Sequence, residues 1–268
     1  MSLLITLIDI FVILTLVRLL IRSNEAHFDP IYRLIYRLTD PLLRVSSYAA
    51  RTGFGQVLLS LAALLVLRGL LYGSTAHSIP SGIGMSLLDF FRLLFQAYFV
   101  LWFVTTLSRW SYPSSIQAMI DRAFHPFSRL SWRFRIRRKN YNLFVLVVIV
   151  LGYILVSAII RYSLIQGNGL AVFPDVLVEA FFLLLGLFPF PGFFSLVIIV
   201  GALLSWVNPD PSNSVVRVIY GISEPLLQPF RRFIPNLGGF DISPIIALFC
   251  FQLIGSLGQQ IVAGLLRA

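Results

Sequence analysis

The sequence predicts an all-α membrane protein built as three tandem two-span helical hairpins. Composition, a pattern that occurs three times, and a one-sided distribution of cations predict it. Of the 268 residues 58% are hydrophobic and 12% charged, and the mean hydropathy is +0.88; an ordinary soluble domain is excluded. With 24 Phe and 10 Tyr, much of this apolar surface must face lipid rather than one closed core. The pattern is an apolar residue, further apolar residues three, four and seven positions on, and Pro at position ten. Its copies are Ile31, Leu34, Ile35, Leu38 before Asp40-Pro41-Leu42; Ile116, Met119, Ile120, Ala123 before His125-Pro126-Phe127; and Val215, Val218, Ile219, Ile222 before Glu224-Pro225-Leu226. A hydrophobic span of membrane length flanks each copy on both sides.

In chain order, hairpin 1 occupies residues 1–73, with spans at Ser2–Ile21 and Gln56–Tyr72. Hairpin 2 occupies 84–163, with spans at Met85–Ser108 and Tyr141–Tyr162. Hairpin 3 occupies 176–268, outgoing from Val176 to Val207 and returning at Ser243–Leu266, for six spans in all. The third outgoing segment is interrupted by FPFPG (Phe188–Gly192), where Pro removes a backbone donor and disfavours the preceding α conformation. Val176–Leu187 is then an interfacial or tilted half-helix leading into a crossing helix at Phe193–Val207; a kinked single span is the alternative. The opening MSLLITLIDIF lacks a basic n-region and runs into a full span, which is not the pattern of a cleavable signal.

Cations set the orientation. The loop after the first span carries Arg22, Arg33, Arg37, Arg44 and Arg51. The second carries Arg109, Arg122, Arg129 and the basic run Arg133, Arg135, Arg137, Arg138, Lys139. The third carries Arg217, Arg231 and Arg232, whereas Gly73–Gly84 and Ser163–Asp175 contain no Lys or Arg. The positive-inside rule puts all three loops in the cytoplasm and both termini on the extracytoplasmic side. Two-span units keep one orientation, so the copies are parallel repeats about an axis along the membrane normal. They can close as a pseudo-threefold ring or run as an open line.

Each loop pattern follows the helical period and makes an amphipathic helix, lying in the headgroup layer or packed on the inner ends of the spans. Asp40-Pro41 and Glu224-Pro225 read as cap-then-Pro junctions that stop one helix and start the next. A second recurrence lies toward the outer ends of the spans. Asp9, Asp89 and Glu179 sit on outgoing segments, and Arg68, Arg161 and Arg267 on returning ones. Charges in hydrocarbon must pair or snorkel, so an outer layer of acid–arginine pairs is expected, with Arg92 a rival partner for Asp89.

The third copy, Ser205–Phe249, carries Ser205-Trp206, Asn208-Pro209, Glu224-Pro225-Leu226-Leu227, Pro229, Arg231-Arg232, Ile234-Pro235, Gly238-Gly239, Asp241 and Ser243-Pro244. In these elements it resembles the YggT/YlmG family of small bacterial and plastid membrane proteins. The first loop keeps LTDPLLR (Leu38–Arg44) without the tail; the second keeps only its helix, His125-Pro126 and basic run. The resemblance implies an integral membrane hairpin of the bacterial inner (plasma) membrane with no assigned catalytic residues. Roles associated with the family include cell division and envelope organisation, osmotic and ion homeostasis, plastid nucleoid distribution and haem attachment to a cytochrome. Arg231-Arg232 with Pro235 and Gly238-Gly239 reads as a stiff basic turn or as a phosphate pocket. Asp241 can bond the arginines or exposed amides, and Ser243-Pro244 starts the return helix.

Functionally, His27, His77 and His125 lack metal-ligand spacing, and no phosphate-binding GKS/GKT loop or nucleophile elbow occurs. No metal, cofactor or enzyme activity is expected. Cys250 alone makes no disulfide framework. The expected role is a membrane scaffold, assembly or envelope-homeostasis factor presenting basic loops to anionic phospholipids and other membrane proteins, with self-association open. Beside a membrane span the basic run favours lipid over nucleic acid. The alternative is a small channel or transporter, which needs inward polar groups; Gln252, Gln259 and Gln260 are its best support.

Overall fold

A computed structural model describes residues 2–22, 25, 29–75, 78–107, 114–165, 172–207, 210, 213–232 and 241–265. Among them the chain is helical, with no strand. The helices are α1 (Ser2–Leu20), α2 (Pro30–Ser46), α3 (Gly53–Thr75), α4 (Ile79–Leu107), α5 (Ser114–Arg133), α6 (Tyr141–Ile160), α7 (Val172–Leu185), α8 (Phe193–Val207), α9 (Ser214–Arg231) and α10 (Ser243–Leu265). A 3-10 turn at Arg138–Asn140 leads into α6, and a π-helical turn at Arg161–Ile165 follows it. Among the described residues five segments are long and apolar enough to cross a membrane: Leu3–Leu20, Gly53–Ser74, Ile79–Leu107, Arg138–Ile165 and Ser243–Leu265. The remaining outgoing segment is two shorter helices, α7 and α8, separated at the FPFPG sequence.

By packing the chain divides into two units. The first comprises Met1–Leu93, Ala118–His125 and Leu155–Val172; the second comprises Leu94–Gln117, Pro126–Ile154 and Phe173–Ala268.

In the first unit α1 and α3 pack together and α2 packs on both. Asp29 caps α2 by accepting from the Ile31 amide (2.9 Å), with Pro30 in the first turn. The cap-then-Pro junction is thus Asp29-Pro30, not Asp40-Pro41. Pro41 lies inside α2, as Pro126 lies inside α5 and Pro225 and Pro229 inside α9. No helix stops at these dipeptides, which corrects the junction expected there. Each Pro removes one backbone bond, whereas the rest of the helix keeps its packing. The expected single stripe on α2 also splits. Tyr32, Ile35, Thr39, Leu43 and Ser46 are buried against the spans, while Leu34 and Leu38 are exposed. Both faces have apolar neighbours when such a helix lies where protein meets lipid.

Two glycines one turn apart on α3, Gly69 and Gly73, let α4 approach at Gly82. A Cβ at Gly82 would stand 2.2 Å from the Gly73 nitrogen and 2.4 Å from the Gly69 carbonyl oxygen. This small-xxx-small contact brings two helix backbones together.

In the second unit α8, α9 and α10 pack around Phe194, Ile198, Leu226 and Ala247, none of which has any exposure. Aromatic rings fill the space between them. Phe188 meets Phe251 edge-on (5.5 Å, 89°), and Phe103 contacts Phe194 at 4.9 Å.

The α7–α8 break joins this core with its backbone bonded. The Phe194 amide donates to Leu187 O (3.0 Å) and the Ser195 hydroxyl to Phe188 O. The Phe190 amide donates to Gln252 Oε1 on α10 (3.0 Å). The Pro189 ring lies over Gly255, where a Cβ would sit 2.3 Å from Pro189 Cδ. A non-helical turn survives at membrane depth only when its backbone groups find partners in the protein.

Replacing Gln252 by Leu is expected to destabilise the chain by about 1–3 kcal/mol, the cost of an unmade backbone bond. Gly255→Leu should disrupt the α7–α10 packing more severely. Denaturant titration in mixed micelles checks both, and unchanged stability of Q252L would remove the structural role of that hydrogen bond.

Candidate functional site

Charged side chains on the described helices form local clusters, and each can be followed from its supporting element. At the end of α9, Arg231 donates to Glu224 Oε2 (2.6 Å) one helix face back and to Asp241 Oδ2 (2.7 Å) beyond the loop. Asp241 Oδ1 accepts from the Ser243 amide at the start of α10 (2.9 Å). Burial opposes ionisation of Asp241, but the Ser243 bonds and the Arg231 guanidinium hold its carboxyl below the usual range. Arg232 is exposed, Pro225 is buried and Pro229 half-buried. Beside Pro225, Leu226 and Leu227 are core residues. Ser205 lies in the last turn of α8 with its hydroxyl donating to Ala202 O, and Pro244 follows Ser243 in the first turn of α10. Trp206 belongs to α8, its side chain outside the described residues, as are Asn208, Pro209, Pro235, Gly238 and Gly239.

In the first unit the corresponding acid, Asp40, meets a different arginine. Arg18, near the end of α1, donates to Asp40 Oδ1 (2.7 Å), Thr39 Oγ1 (2.6 Å) and the Tyr36 carbonyl (3.2 Å). Its guanidinium carbon stands 4.1 Å from the Tyr36 ring centroid, a cation–π distance. Arg122 of α5 forms a two-pronged bond to Glu25 (2.8 and 2.7 Å). That hydrogen-bonded pairing, against a small burial penalty, pulls the Glu25 carboxyl below its ordinary pKa. Sequence reasoning did not single out Arg18, Glu25 or Arg122 as partners, because the pairs join residues far apart in the chain.

Among the expected outer pairs, Asp9 and Arg68 are bonded. Arg68 also donates to the Ser86 hydroxyl (3.1 Å) and the Ser86 carbonyl, and its side chain is only 3% exposed. Asp89 bonds the rival Arg92 (2.8 Å) and accepts from the Tyr72 hydroxyl (2.8 Å). Arg161 lines the same cleft as Tyr72, Asp89 and Arg92. Glu179 accepts from the Tyr153 hydroxyl (3.0 Å), whose ring stacks on Phe95 (4.4 Å, 14°). Arg267 lies outside the described residues.

The basic run is arranged differently. α5 ends in a left-handed turn: the Arg135 amide donates to Trp132 O (3.1 Å) and the Ile136 amide to Ser131 O (3.0 Å), with Arg135 at φ 50°. This closing motif ordinarily takes Gly, and a residue with a Cβ there carries strain of about 1–2 kcal/mol. Around the turn Trp132, Arg133, Phe134, Arg135, Arg137, Arg138 and Lys139 are all exposed. The next helix is anchored by Trp102, whose indole donates to Asn142 O (2.8 Å). Among the described residues no group of three or more His, Cys, Asp or Glu could hold a metal ion.

Comparison with known proteins finds similarity in the C-terminal part. Residues 179–262 match the CCB3/YggT family. An uncharacterised protein of Pseudomonas aeruginosa is 45% identical over 64 residues, covering 24% of this chain and 32% of the relative. YlmG homolog protein 2, chloroplastic, of Arabidopsis thaliana is 32% identical over 88 residues, 33% of this chain and 35% of the relative. The uncharacterised protein YggT of Escherichia coli is 38% identical over 58 residues, 22% of this chain and 30% of the relative. The chain spans about a third of the length of each of these relatives. No solved structure matches it.

Two outcomes follow from the pairs. Asp9→Asn leaves the buried Arg68 charge without its counter-ion, so stability should fall by on the order of 3 kcal/mol, and the double variant with Arg68→Met should recover part of it. Denaturant titration in micelles reads both; an unaffected D9N would make the pair dispensable. For Glu25, the folded pKa lies below the unfolded one. The contact therefore adds stability above the unfolded glutamate pKa and loses it as pH falls through the folded value. Wild type should exceed Glu25→Gln by about 1 kcal/mol at neutral pH, and the two should converge as the pH falls below the folded glutamate pKa.

Proposed function

We propose that this chain, whose residues 179–262 match the CCB3/YggT family, is a non-enzymatic scaffold, assembly or envelope-homeostasis factor of the bacterial inner membrane. In this reading six spans form three hairpins, the α7–α8 pair counting as one interrupted crossing. The basic loops face the cytoplasm and both termini the other side. The loops hold anionic phospholipid and present the chain to other membrane proteins.

The observation that carries the proposal is the contrast between two sets of polar side chains. Several on the apolar helices are bonded within the protein: Asp9 with Arg68, Asp89 with Arg92 and Tyr72, Glu179 with Tyr153, and Gln252 with the Phe190 amide, while Gln260 is exposed. The turn from Trp132 to Lys139 instead displays five cations and two aromatic rings outward. Conduction needs polar groups lining a path, whereas Gln252 serves the broken helix. Mixed cationic and aromatic surfaces beside a span match the headgroup layer.

In-cell photocrosslinking from Arg133 and Trp132, followed by identification of the captured proteins, should return one recurrent membrane complex. Ion flux through purified protein in liposomes, abolished by Gln259→Leu, would replace this reading with a channel. Cysteine accessibility at Arg135 from the extracytoplasmic side would overturn the orientation.

A further inference from the structure

A second feature of the same unit meets the basic turn along one helix. α4, α6 and α7 leave a groove of about 370 Å³ between them, lined only by apolar side chains that include Phe99, Leu146, Val150, Leu177, Ala180 and Leu184. Its α6 wall runs from Leu146 to Leu151. At 1.5 Å per residue this wall lies about 6 to 14 Å along the axis from Asn142, within the roughly 15 Å depth of one leaflet's hydrocarbon. Asn142 is bonded to the Trp102 indole, and Trp favours the level of the headgroups.

The groove therefore begins about two helical turns beyond Lys139, the last cation before α6. From Pro126 to Pro174 the sequence contains no Asp or Glu, so these cations have no acid close by in the chain. Val147 and Leu151 on one rim and Leu177 and Phe181 on the other are 42–52% exposed, which leaves the groove open on its side.

We infer that the basic turn and this groove together form a binding site for one anionic diacyl phospholipid. The phosphate sits at Arg137, Arg138 and Lys139, and one acyl chain lies in the groove along α6. The site rests on the reading above that basic loops hold anionic lipid, and narrows it from a surface attraction to a defined place. Charge complementarity selects the headgroup, and the wholly apolar lining selects the tail. A polar solute gains nothing from such a groove.

The test uses the full chain in nanodiscs containing phosphatidylglycerol with a photoactivatable acyl chain, beside phosphatidylcholine bearing the same chain. Phosphatidylglycerol should label peptides spanning Leu146–Leu151 or Leu177–Leu184. The triple change Arg137→Gln, Arg138→Gln, Lys139→Gln should cut its preference over phosphatidylcholine by about tenfold or more. Val147→Trp fills the groove from its open side and should abolish groove labelling while leaving attraction to anionic vesicles intact; Leu151→Trp repeats the test at a second position. Soluble glycerol phosphate should not compete, because it lacks the tail.

Groove labelling that ignores headgroup charge, or that persists in both Trp variants, overturns the site. If the Trp variants are silent but the charge variant weakens vesicle binding, the turn attracts anionic surfaces and no defined site exists. If neither matters, the lipid reading of the basic loop falls with it. Crosslinks from the groove to a second copy of the chain would give the groove a protein occupant and likewise overturn the assignment.

Discussion

Hydrocarbon offers no hydrogen-bond partner, so every polar group at membrane depth must be answered by the chain itself. That constraint explains features that composition alone would make anomalous. Arg68 can be almost fully buried because Asp9 and the hydroxyl and carbonyl oxygens of Ser86 accept from it. The α7–α8 break can interrupt an apolar segment because Gln252, Ser195 and neighbouring amides accept or supply the bonds that the helix gave up. Gly255 completes the arrangement by admitting the Pro189 ring. The glutamine and the glycine act as one device, since a larger residue at 255 would push Pro189 away and carry the Phe190 amide with it.

The proline-bearing helices follow a related logic under looser conditions. α2, α5 and α9 each contain Pro in mid-helix yet stay helical on both sides. A missing bond costs less where headgroup water can reach the freed carbonyl than it would in hydrocarbon. Packing then decides the outcome: Leu43 after Pro41, and Leu226 and Leu227 after Pro225, are buried. The acids before Pro41 and Pro225 are released from any capping role and pair with arginines, Arg18 for Asp40 and Arg231 for Glu224. The same motif thus binds different cations in its two acidic copies, because Arg18 comes from a neighbouring span and Arg231 from the same helix.

Elements set by local pattern were legible in the sequence. The long apolar helices, the interruption at Phe188–Gly192 and the helicity of the loops all follow from hydropathy, Pro and a 3.6-residue period. The sequence also pointed to Asp9 and Arg68 as matched in depth. What it hid depends on rotation about helix axes or on distant partners. Leu34 and Leu38 share a period with Ile35 but face away from the protein, and no periodicity distinguishes lipid from protein as apolar surroundings. Glu25 and Arg122 are nearly a hundred residues apart. The Gly69–Gly73 spacing is a readable signal for close helix approach, although glycines in an apolar run also look like composition rather than contact. The tail at Pro235 and Gly238-Gly239 lies outside the described residues, so its role rests on resemblance.

The placement of charge links this architecture to what the protein presents. Among the described residues Asp9, Glu25, Asp40, Asp89, Glu224 and Asp241 occupy ion pairs with Arg68, Arg122, Arg18, Arg92 and, for the last two, Arg231. Acids so engaged neutralise structural arginines and cannot offset cations elsewhere. The net charge of +10 is therefore unevenly expressed, and it concentrates where acids are absent from the chain, around Arg133 to Lys139. The turn there is fixed by backbone bonds and carries Arg135 in a conformation that Gly would adopt without strain. A rigid turn holds its cations apart at set positions, whereas a flexible tail would gather counterions diffusely. Internal charges locked in pairs, with an ordered cationic turn beside an apolar groove, are the arrangement that the proposed anionic-lipid site requires.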